Sequence, residues 1–270
     1  MASRRRRPKK LAPVRVNAGL EARYRTELDA YIGAMNRDVL AVIRAEYPDV
    51  IAQDASPIEN VQAAIEGLRM RWGRNFGSLS TDLARYFAQA ATDRTDTQLR
   101  AILRKAGWTV DFTITPAIRD LMQASIAENV ALIKSIPDQY FTQIEGHVMR
   151  AAQVGGDMGP LAQVLEHQYG VTRRRAAFIA RDQTRKAMAV VERARQEELG
   201  ITHAYWKHSA GGKHPRPTHV KASRDGVIYD INEGWLDPAL GKRIWPGTEP
   251  NCRCFCRAVL PALADFKLAA

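Results

Sequence analysis

All three cysteines of the chain lie within five positions near its C-terminus, at Cys252, Cys254 and Cys256. They follow a Pro-Gly turn at Pro246-Gly247. In an extended strand, side chains two positions apart share one face of the sheet. The three thiols are therefore predicted to point to the same side of a strand, and the residues between them to the other side.

Three interpretations of this cysteine cluster stay open. Free cysteine is among the most buried residue types, which favours a row of small side chains on a core face. A zinc site is the second interpretation, with a Cys-x-Cys pair and histidines such as His214 or His219 as ligands. A redox or nucleophilic thiol is the third and least favoured, because no Cys-x-x-Cys motif or helix N-terminus is present to lower a thiol pKa. We therefore expect no cofactor, with structural zinc as the alternative.

A second candidate site combines Arg216 and His219 in the segment Arg216-Pro217-Thr218-His219, which is predicted to be a loop after Trp206. A guanidinium and an imidazole can serve phosphate chemistry, as in small nucleases. Single residues of these types more often make structural hydrogen bonds, and no carboxylate pair, P-loop or hydrolase motif accompanies them. We assign no catalytic residue and keep a nuclease-like enzyme using Arg216 and His219 as the alternative function.

Positive charge is concentrated at the start of the chain. The formal net charge is +11, and seven basic residues lie within the first 20 positions, which contain no acid. Such a segment cannot build a core, so residues 1–19 are predicted to form a solvated, disordered arm. It serves either to neutralise DNA phosphates or to keep the chain soluble. The candidate DNA-binding residues of the arm are Arg4, Arg5, Arg6, Arg7, Lys9 and Lys10.

A long late helix is predicted from Thr172 to Gly200, with small residues along its inner face. Its other face carries Arg174, Arg181 and Arg185. A charge run of this kind is usually a solvated helix face, and we favour that interpretation. The alternative is a second DNA-facing surface.

Most of the chain before this helix shows apolar residues at spacings of three and four, which is typical of amphipathic helices. Helices are predicted over about residues 20–47, 57–77, 79–91, 96–106, 116–135, 138–154 and 161–169. The second of these opens at Ser56-Pro57 and the last but one ends at Gly155-Gly156. The segment 108–115 alternates like a strand but stands alone, so we predict an extended connector there.

The pattern changes after Gly200. Residues 203–208, 226–231 and 252–260 are predicted to be strands, separated by loops rich in Gly, Pro and Asn. The fold class is therefore α+β: a helical N-terminal region followed by a small C-terminal α+β module with a short, mainly antiparallel sheet. We place the boundaries at 1–19 for the arm, 20–155 for the helical region and 156–270 for the module.

Composition excludes several other classes. Three closely spaced cysteines do not make a secreted disulfide framework, which favours folding in a reducing compartment. No run of 18 apolar residues is present, and no apolar segment follows the basic cluster. We expect a soluble protein without an export signal or a membrane partner.

The order of several motifs between Tyr169 and Pro261 resembles a known family. The motifs are Ile179-Ala180-Arg181-Asp182-Gln183 on the long helix, Arg216-Pro217-Thr218-His219, Gly226 before a strand, Pro246-Gly247, and Asn251-Cys252-Arg253-Cys254. Together they resemble minor head proteins of tailed bacteriophages, the Mu F-like head morphogenesis family. Cys256 departs from that pattern and leaves open whether a metal, if bound, uses two or three thiolates.

The resemblance implies a low-copy internal component of the procapsid that is required for head assembly or DNA packaging. It implies the portal protein and the major capsid protein as partners, and double-stranded DNA as a third. It also implies a place in the virion interior after assembly in the host cytoplasm. The family supplies a domain that is fused to toxins elsewhere, but few residues follow the motifs here, so we expect no toxin domain.

Overall fold

The computed structural model describes residues 9–46, 57–153, 158–212 and 214–260. Five helices occur in them: α1 (Ala18–Glu46), α2 (Pro57–Ala106), α3 (Pro116–Gln153), α4 (Met158–Glu198) and α5 (Pro217–Arg224). The strands are β1 (Lys9–Lys10), β2 (His203–Lys207), β3 (Ile228–Asp230), β4 (Trp235–Asp237), β5 (Lys242–Ile244) and β6 (Phe255–Leu260). Long helices followed by small antiparallel sheets confirm the predicted α+β class.

Helix α2 is one continuous element, whereas three separate helices were expected between residues 57 and 106. Its buried stripe passes Gly77 without a break, because Trp72, Phe76, Ser80 and Leu83 stay at helical spacing on one side. Packing of that stripe outweighs the cost of about 1 kcal/mol for a glycine inside a helix. Gly77 therefore does not end the helix.

Pro137 lies inside α3, where the sequence predicted a stop. The buried side chains Ile133, Ile136 and Tyr140 continue the same apolar stripe across the proline. The hydroxyl of Tyr140 also donates a hydrogen bond of 2.7 Å to Asn36 on α1. Tertiary packing keeps this segment helical although proline removes one backbone hydrogen bond.

Helix α4 likewise runs through Gly170, so the separate short helix at 161–169 was wrong. Thr172 does not cap a helix start, because its hydroxyl donates to the carbonyl of Gln168 one turn earlier. The predicted end is close to the observed one: Gly200 has a positive φ of 66° and Ile201 N–H bonds back to Gln196. None of the helices in the described residues is long and apolar enough to cross a membrane.

The chain divides into two compact units. The helical unit comprises residues 19–87 and 125–181. Its core includes Tyr24, whose ring packs 4.6 Å from Phe87 and whose hydroxyl donates to Asn129 over 2.7 Å. Leu28 and Ile32, one and two turns further along α1, are fully buried. The amphipathic pattern of α1 therefore faces this core.

The sheet unit comprises residues 1–18, 88–124 and 182–270. Its four-stranded antiparallel sheet has the order β1-β6-β2-β3, and β4 and β5 form a separate antiparallel pair. In the central pair, Trp206 lies opposite Cys256 and Ala204 lies opposite Ala258, all four of them buried. This face of β2 and β6 forms the core of the unit. The domain boundary near residue 155 stays a prediction, because residues 154–157 lie outside the described part of the chain.

The sequence predicted a disordered arm over residues 1–19, and the described part of it differs. Lys9 and Lys10 form β1 against the end of β6, and the side chains of Leu11 and Val14 are buried. The prediction of disorder used the net charge of the whole segment and therefore overlooked these two apolar side chains. Arg4 to Arg7 lie outside the described residues.

The predicted strands at 203–208 and 226–231 are confirmed as β2 and β3. The last strand, however, begins at Phe255 rather than at Cys252. Asn251 has a positive φ of 57°, and Cys252 N–H closes a turn onto the carbonyl of Glu249. The first two cysteines therefore belong to a turn and a short extended lead-in, while their side chains are still buried.

Helix α5 was not predicted, because the segment from Arg216 to His219 was expected to be a loop. The sequence did contain a helix signal, since Pro217 occupies the first turn, where its fixed φ is tolerated. Arg216 is the extended residue before the helix, with φ −66° and ψ 125°. The β4–β5 pair was also missed, because three-residue strands are too short to show a period.

Candidate functional site

The side chains of His219, Cys252 and Cys254 meet in the sheet unit. Nδ1 of His219 lies 3.7 Å from Sγ of Cys252 and 3.6 Å from Sγ of Cys254. The three candidate ligand atoms all lie within 4.8 Å of one another. The exposed fractions are 2%, 3% and 7%, so the cluster is buried. We call these three residues the thiol–imidazole cluster.

Helix α5 positions His219. The residue lies in the first turn of the helix, on the same side as buried Ala222. Arg216, just before the helix, donates a hydrogen bond of 3.0 Å from Nη2 to the carbonyl of Pro250. This bond links the start of α5 to the turn that carries Cys252, and so brings the histidine and the first thiol together.

The other ring nitrogen of His219 faces Asp237, at the end of β4. Nε2 lies 3.2 Å from Oδ2 of Asp237, which is fully buried. The second carboxylate oxygen accepts the N–H of Ala239 over 2.9 Å, which fixes the carboxylate in the β4–β5 turn. A carboxylate can only accept, so Nε2 carries the proton and Nδ1 presents its lone pair to the two sulfurs.

Aromatic rings enclose the histidine. The rings of Trp206 and Trp235 lie with their centroids 4.9 Å and 6.0 Å from that of His219, both close to edge-to-face. Trp206 is fully buried on β2. These rings limit the access of water to the thiol–imidazole cluster.

The turn before β6 places the two cysteines against α4. Gly247 has φ +86°, and a Cβ at this position would lie 3.0 Å from Cβ of Ala189 on α4. Only glycine combines this backbone conformation with so close an approach. The N–H of Asn251 donates to the carboxylate of Asp182, also on α4. The Pro-Gly turn and Asn251 thus anchor the segment that carries Cys252.

The two thiols of the cluster influence each other. The pKa of Cys252 is lowered, chiefly by a hydrogen bond from the Cys254 thiol, while burial acts in the opposite direction. The pKa of Cys254 is raised, because its proton is held in that hydrogen bond and because it is buried next to Cys252. The metal-free pair therefore favours one thiolate and one thiol.

Cys256, which was counted among the candidate ligands, points elsewhere. Its Sγ lies 3.3 Å from Oε1 of Glu192 and 3.4 Å from Nε2 of Gln196, both on α4. Burial raises the pKa of this thiol. His214, the other predicted ligand, is exposed and does not belong to the described cluster. The interpretation as a buried small side chain fits Cys256. Of the five predicted ligands, Cys256 and His214 therefore lie outside the cluster.

Glu192 borders a cavity of about 390 Å³ within the sheet unit, together with Cys256, Val14 and Tyr229. The carboxyl is buried, and burial raises its pKa to about 7. Hydrogen bonds from Cys256, the backbone of Val14 and Gln196 act in the opposite direction. The group therefore changes charge near neutral pH.

The predicted arginine row on α4 divides between two places. Arg174 and Arg181 line an open cavity of about 640 Å³ in the helical unit, together with Arg25 and Arg173. Arg173 is paired with Asp29 over 3.0 Å. The third predicted residue of the row, Arg185, lines the smaller cavity of the sheet unit instead. Among the predicted DNA contacts on α4, Arg174 and Arg181 are thus the two that share a surface.

Other residues of the sequence motifs make contacts near the thiol–imidazole cluster in the sheet unit. Gly226 has φ +69° and follows α5, where Val227 N–H bonds back to Ala222. Arg253 donates from Nη1 to the carbonyl of Gly211 in the loop after β2. The motif on α4 is different, because its first part, up to Arg181, lies in the helical unit. The motifs from Arg216 to Cys254 therefore define one folded neighbourhood.

The nuclease alternative receives no support from this geometry. His219 is 2% exposed, and its ring nitrogens face Asp237 and the two thiols. A general base has to come within hydrogen-bond reach of its substrate. Arg216 is engaged with the carbonyl of Pro250.

Sequence reasoning missed Asp237, Asp182 and Glu192. Asp237 lies 18 positions from His219 in a pair of very short strands, so no spacing rule connects the two. Asp182 was quoted only as part of a family motif, and Glu192 was one charge among many on α4.

Fold and site together define a small α+β domain built around a buried thiol–imidazole cluster. Residues 142–257 match the family described as "Phage Mu protein F like protein". The matched segment begins in α3, ends in β6 and contains His219, Cys252, Cys254 and Asp237. Over these residues, the match confirms the resemblance seen in the motifs.

One relative extends the comparison to nearly the whole chain. Over 268 residues, the chain is 29% identical to a protein of Haemophilus influenzae (strain ATCC 51907 / DSM 11121 / KW20 / Rd) that is described as uncharacterized. The alignment covers 94% of this chain and 56% of the relative. The chain thus spans little more than half the length of that relative. No solved structure shows significant similarity.

Proposed function

We propose that this protein is a minor structural component of a phage head, which acts in procapsid assembly and DNA packaging. The observation that carries the proposal is the Phage Mu protein F-like match over residues 142–257. In this proposal the protein binds the portal protein or the inner surface of the capsid, and it contacts double-stranded DNA. It resides inside the head after assembly in the host cytoplasm.

The geometry of the site favours a structural role rather than catalysis. The thiol–imidazole cluster is flanked by two tryptophan rings and holds α5, the β4–β5 pair and the turn before β6 together. Buried, mutually bonded polar groups of this kind specify one packed arrangement. A role in assembly needs such a rigid module and no open catalytic cleft.

The helical unit offers a surface for a protein partner. Met70 on α2 is 55% exposed, and Phe178 on α4 is also exposed. Met and Phe are enriched at protein interfaces relative to the rest of the surface. We assign docking on the portal or capsid to this unit, as the family resemblance suggests.

Capture experiments test this function. The purified full chain, immobilised through a tag, is mixed with the portal protein and the major capsid protein encoded in the same genome. We expect specific retention of at least one of them, and weaker retention by a Met70→Glu variant. Leu236→Glu on β4 is the matched control, since Leu236 is exposed to 53% but lies in the sheet unit. Failure to retain either protein would overturn the proposal, and equal losses in both variants would overturn the assigned surface.

A further inference from the structure

We propose that Nδ1 of His219 and the thiolates of Cys252 and Cys254 bind one zinc ion. The three residues supply three positions of a tetrahedral site, and the fourth is left for a solvent molecule. This inference does not depend on a role in the phage head.

The distances fit a zinc ion. Zn–S bonds of about 2.3 Å and Zn–N bonds of about 2.0–2.1 Å at tetrahedral angles separate the nitrogen from each sulfur by about 3.6 Å. The observed separations from Nδ1 of His219 are 3.7 Å to Cys252 and 3.6 Å to Cys254. Both nitrogen–sulfur separations therefore match those of a zinc site, and the three atoms lie within 4.8 Å of one another.

Asp237 prepares His219 for this role. A histidine that binds a metal through one ring nitrogen usually donates the other N–H to a carboxylate or a carbonyl. Here Nε2 of His219 faces the buried carboxylate of Asp237, which leaves the lone pair of Nδ1 directed at the thiols. The partner that orients a zinc-binding histidine is therefore in place.

The donor types select the class of metal. Thiolate and imidazole suit zinc, whereas magnesium and calcium require oxygen ligands. The described cluster supplies sulfur and nitrogen and no carboxylate oxygen. Burial of the thiols supports the same assignment, because a bound cation compensates the charge of thiolates that would otherwise be desolvated.

The neighbouring elements show what the ion does. His219 lies on α5, and the two cysteines lie in the segment before β6. Zinc bound to all three joins the helix to the turn at a point where a hydrogen bond from Arg216 to Pro250 already connects them. The ion thus cross-links two segments of the fold. Metal binding therefore adds to the free energy of folding.

The decisive measurement is the metal content of the full chain. Protein expressed with added zinc and passed through a desalting column is analysed by mass spectrometry of its metals. We expect one equivalent of zinc in the wild type and its loss in a Cys252→Ala, Cys254→Ala double variant. Cys256→Ala is the matched control, because Cys256 contacts Glu192 instead of the cluster, and this variant retains the metal.

A second measurement avoids variants that fail to fold. Wild-type protein is stripped with a chelator and titrated with Co²⁺, which reports tetrahedral thiolate coordination by its visible and charge-transfer absorption. We expect a spectrum that saturates at one equivalent and disappears when zinc is added. Absence of both zinc and a cobalt spectrum in folded wild-type protein overturns the proposal, as does loss of the metal in the Cys256→Ala variant.

Discussion

Asp237 and His219 form a buried pair, with Oδ2 and Nε2 3.2 Å apart and neither side chain more than 2% exposed. The two residues come from different elements, the end of β4 and the first turn of α5. The carboxylate fixes which ring nitrogen faces the cysteines. The geometry of the thiol–imidazole cluster therefore depends on a residue that is not itself a ligand in the proposed site.

The first prediction concerns that pair. Asp237→Asn keeps the size of the side chain but removes the negative charge of the acceptor, so the hydrogen bond that orients the histidine is weakened. We expect zinc affinity to fall about 10- to 100-fold, as for other residues that orient a metal ligand. Competition with a fluorescent zinc chelator measures this change. Asp225→Asn is the control, since Asp225 is exposed and paired with its neighbour Arg224; an equal loss there would contradict the role given to Asp237.

The second prediction concerns the turn that carries the cysteines. Gly247→Ala places a Cβ 3.0 Å from Ala189 in a backbone conformation with φ +86°. We expect a loss of about 1–3 kcal/mol in the free energy of unfolding, from backbone strain alone. Urea denaturation of both proteins measures the difference. Gly212→Ala serves as the control, because Gly212 has no atom within 4 Å of its added Cβ and no positive φ; equal effects at both positions would rule out the steric argument.

How far the sequence could predict this structure depends on the range of the interactions. The burial of Cys256 on one face of its strand followed from local alternation. The continuity of α2 across Gly77 did not, because the packing of a buried stripe decided it. Asp96 shows the same limit: it was predicted to open a helix, but it lies inside α2 and binds the buried guanidinium of Arg195 through two hydrogen bonds of 2.8 and 2.9 Å.

The sequence predicted the candidate ligands of the site but not which of them meet, because that choice also depends on long-range packing. Cys252 and Cys254 were recognised as a pair from their spacing, and His219 was named among the histidines that could join them. Nothing local separates His219 from His214, because the choice is made by α5 and by Asp237. A sequence pattern can propose ligands, and long-range packing selects among them.

The third prediction concerns DNA. Guanidinium groups around the cavity of the helical unit offer phosphate contacts, and each such contact releases counterions and steepens the dependence of affinity on salt. We expect an Arg174→Gln, Arg181→Gln double variant to bind a short duplex more weakly, with a salt slope that is smaller by up to about 2. Fluorescence anisotropy between roughly 50 and 200 mM salt measures both quantities.

The control for DNA binding is Arg243→Gln, since Arg243 is exposed on β5 and paired with Glu233. Deleting residues 1–8 tests the arm while leaving β1 and the buried Leu11 intact. A wild-type affinity that does not change with salt contradicts the DNA proposal. An equal decrease in the Arg243→Gln variant shows that total charge, rather than the cavity, accounts for binding.

The last prediction uses the titration of Glu192. Burial raises its pKa from 4.5 to about 7. The folded protein therefore binds this proton more tightly than the unfolded chain does. Its contribution to stability is fully present below about pH 4.5 and is lost as the pH rises through 7. A Glu192→Gln variant lacks the titration, so the difference in unfolding free energy between the two proteins isolates it.

Denaturant unfolding of wild type and Glu192→Gln at a series of pH values measures that difference. Between about pH 4.5 and pH 8, the wild type should lose about 3 kcal/mol relative to the variant, since each pKa unit corresponds to about 1.4 kcal/mol. Glu249→Gln is the control for the loss of a carboxylate, because Glu249 pairs with Lys242 and does not line the cavity. A pH-independent difference between wild type and Glu192→Gln would show that this carboxyl titrates alike in the folded and unfolded chain.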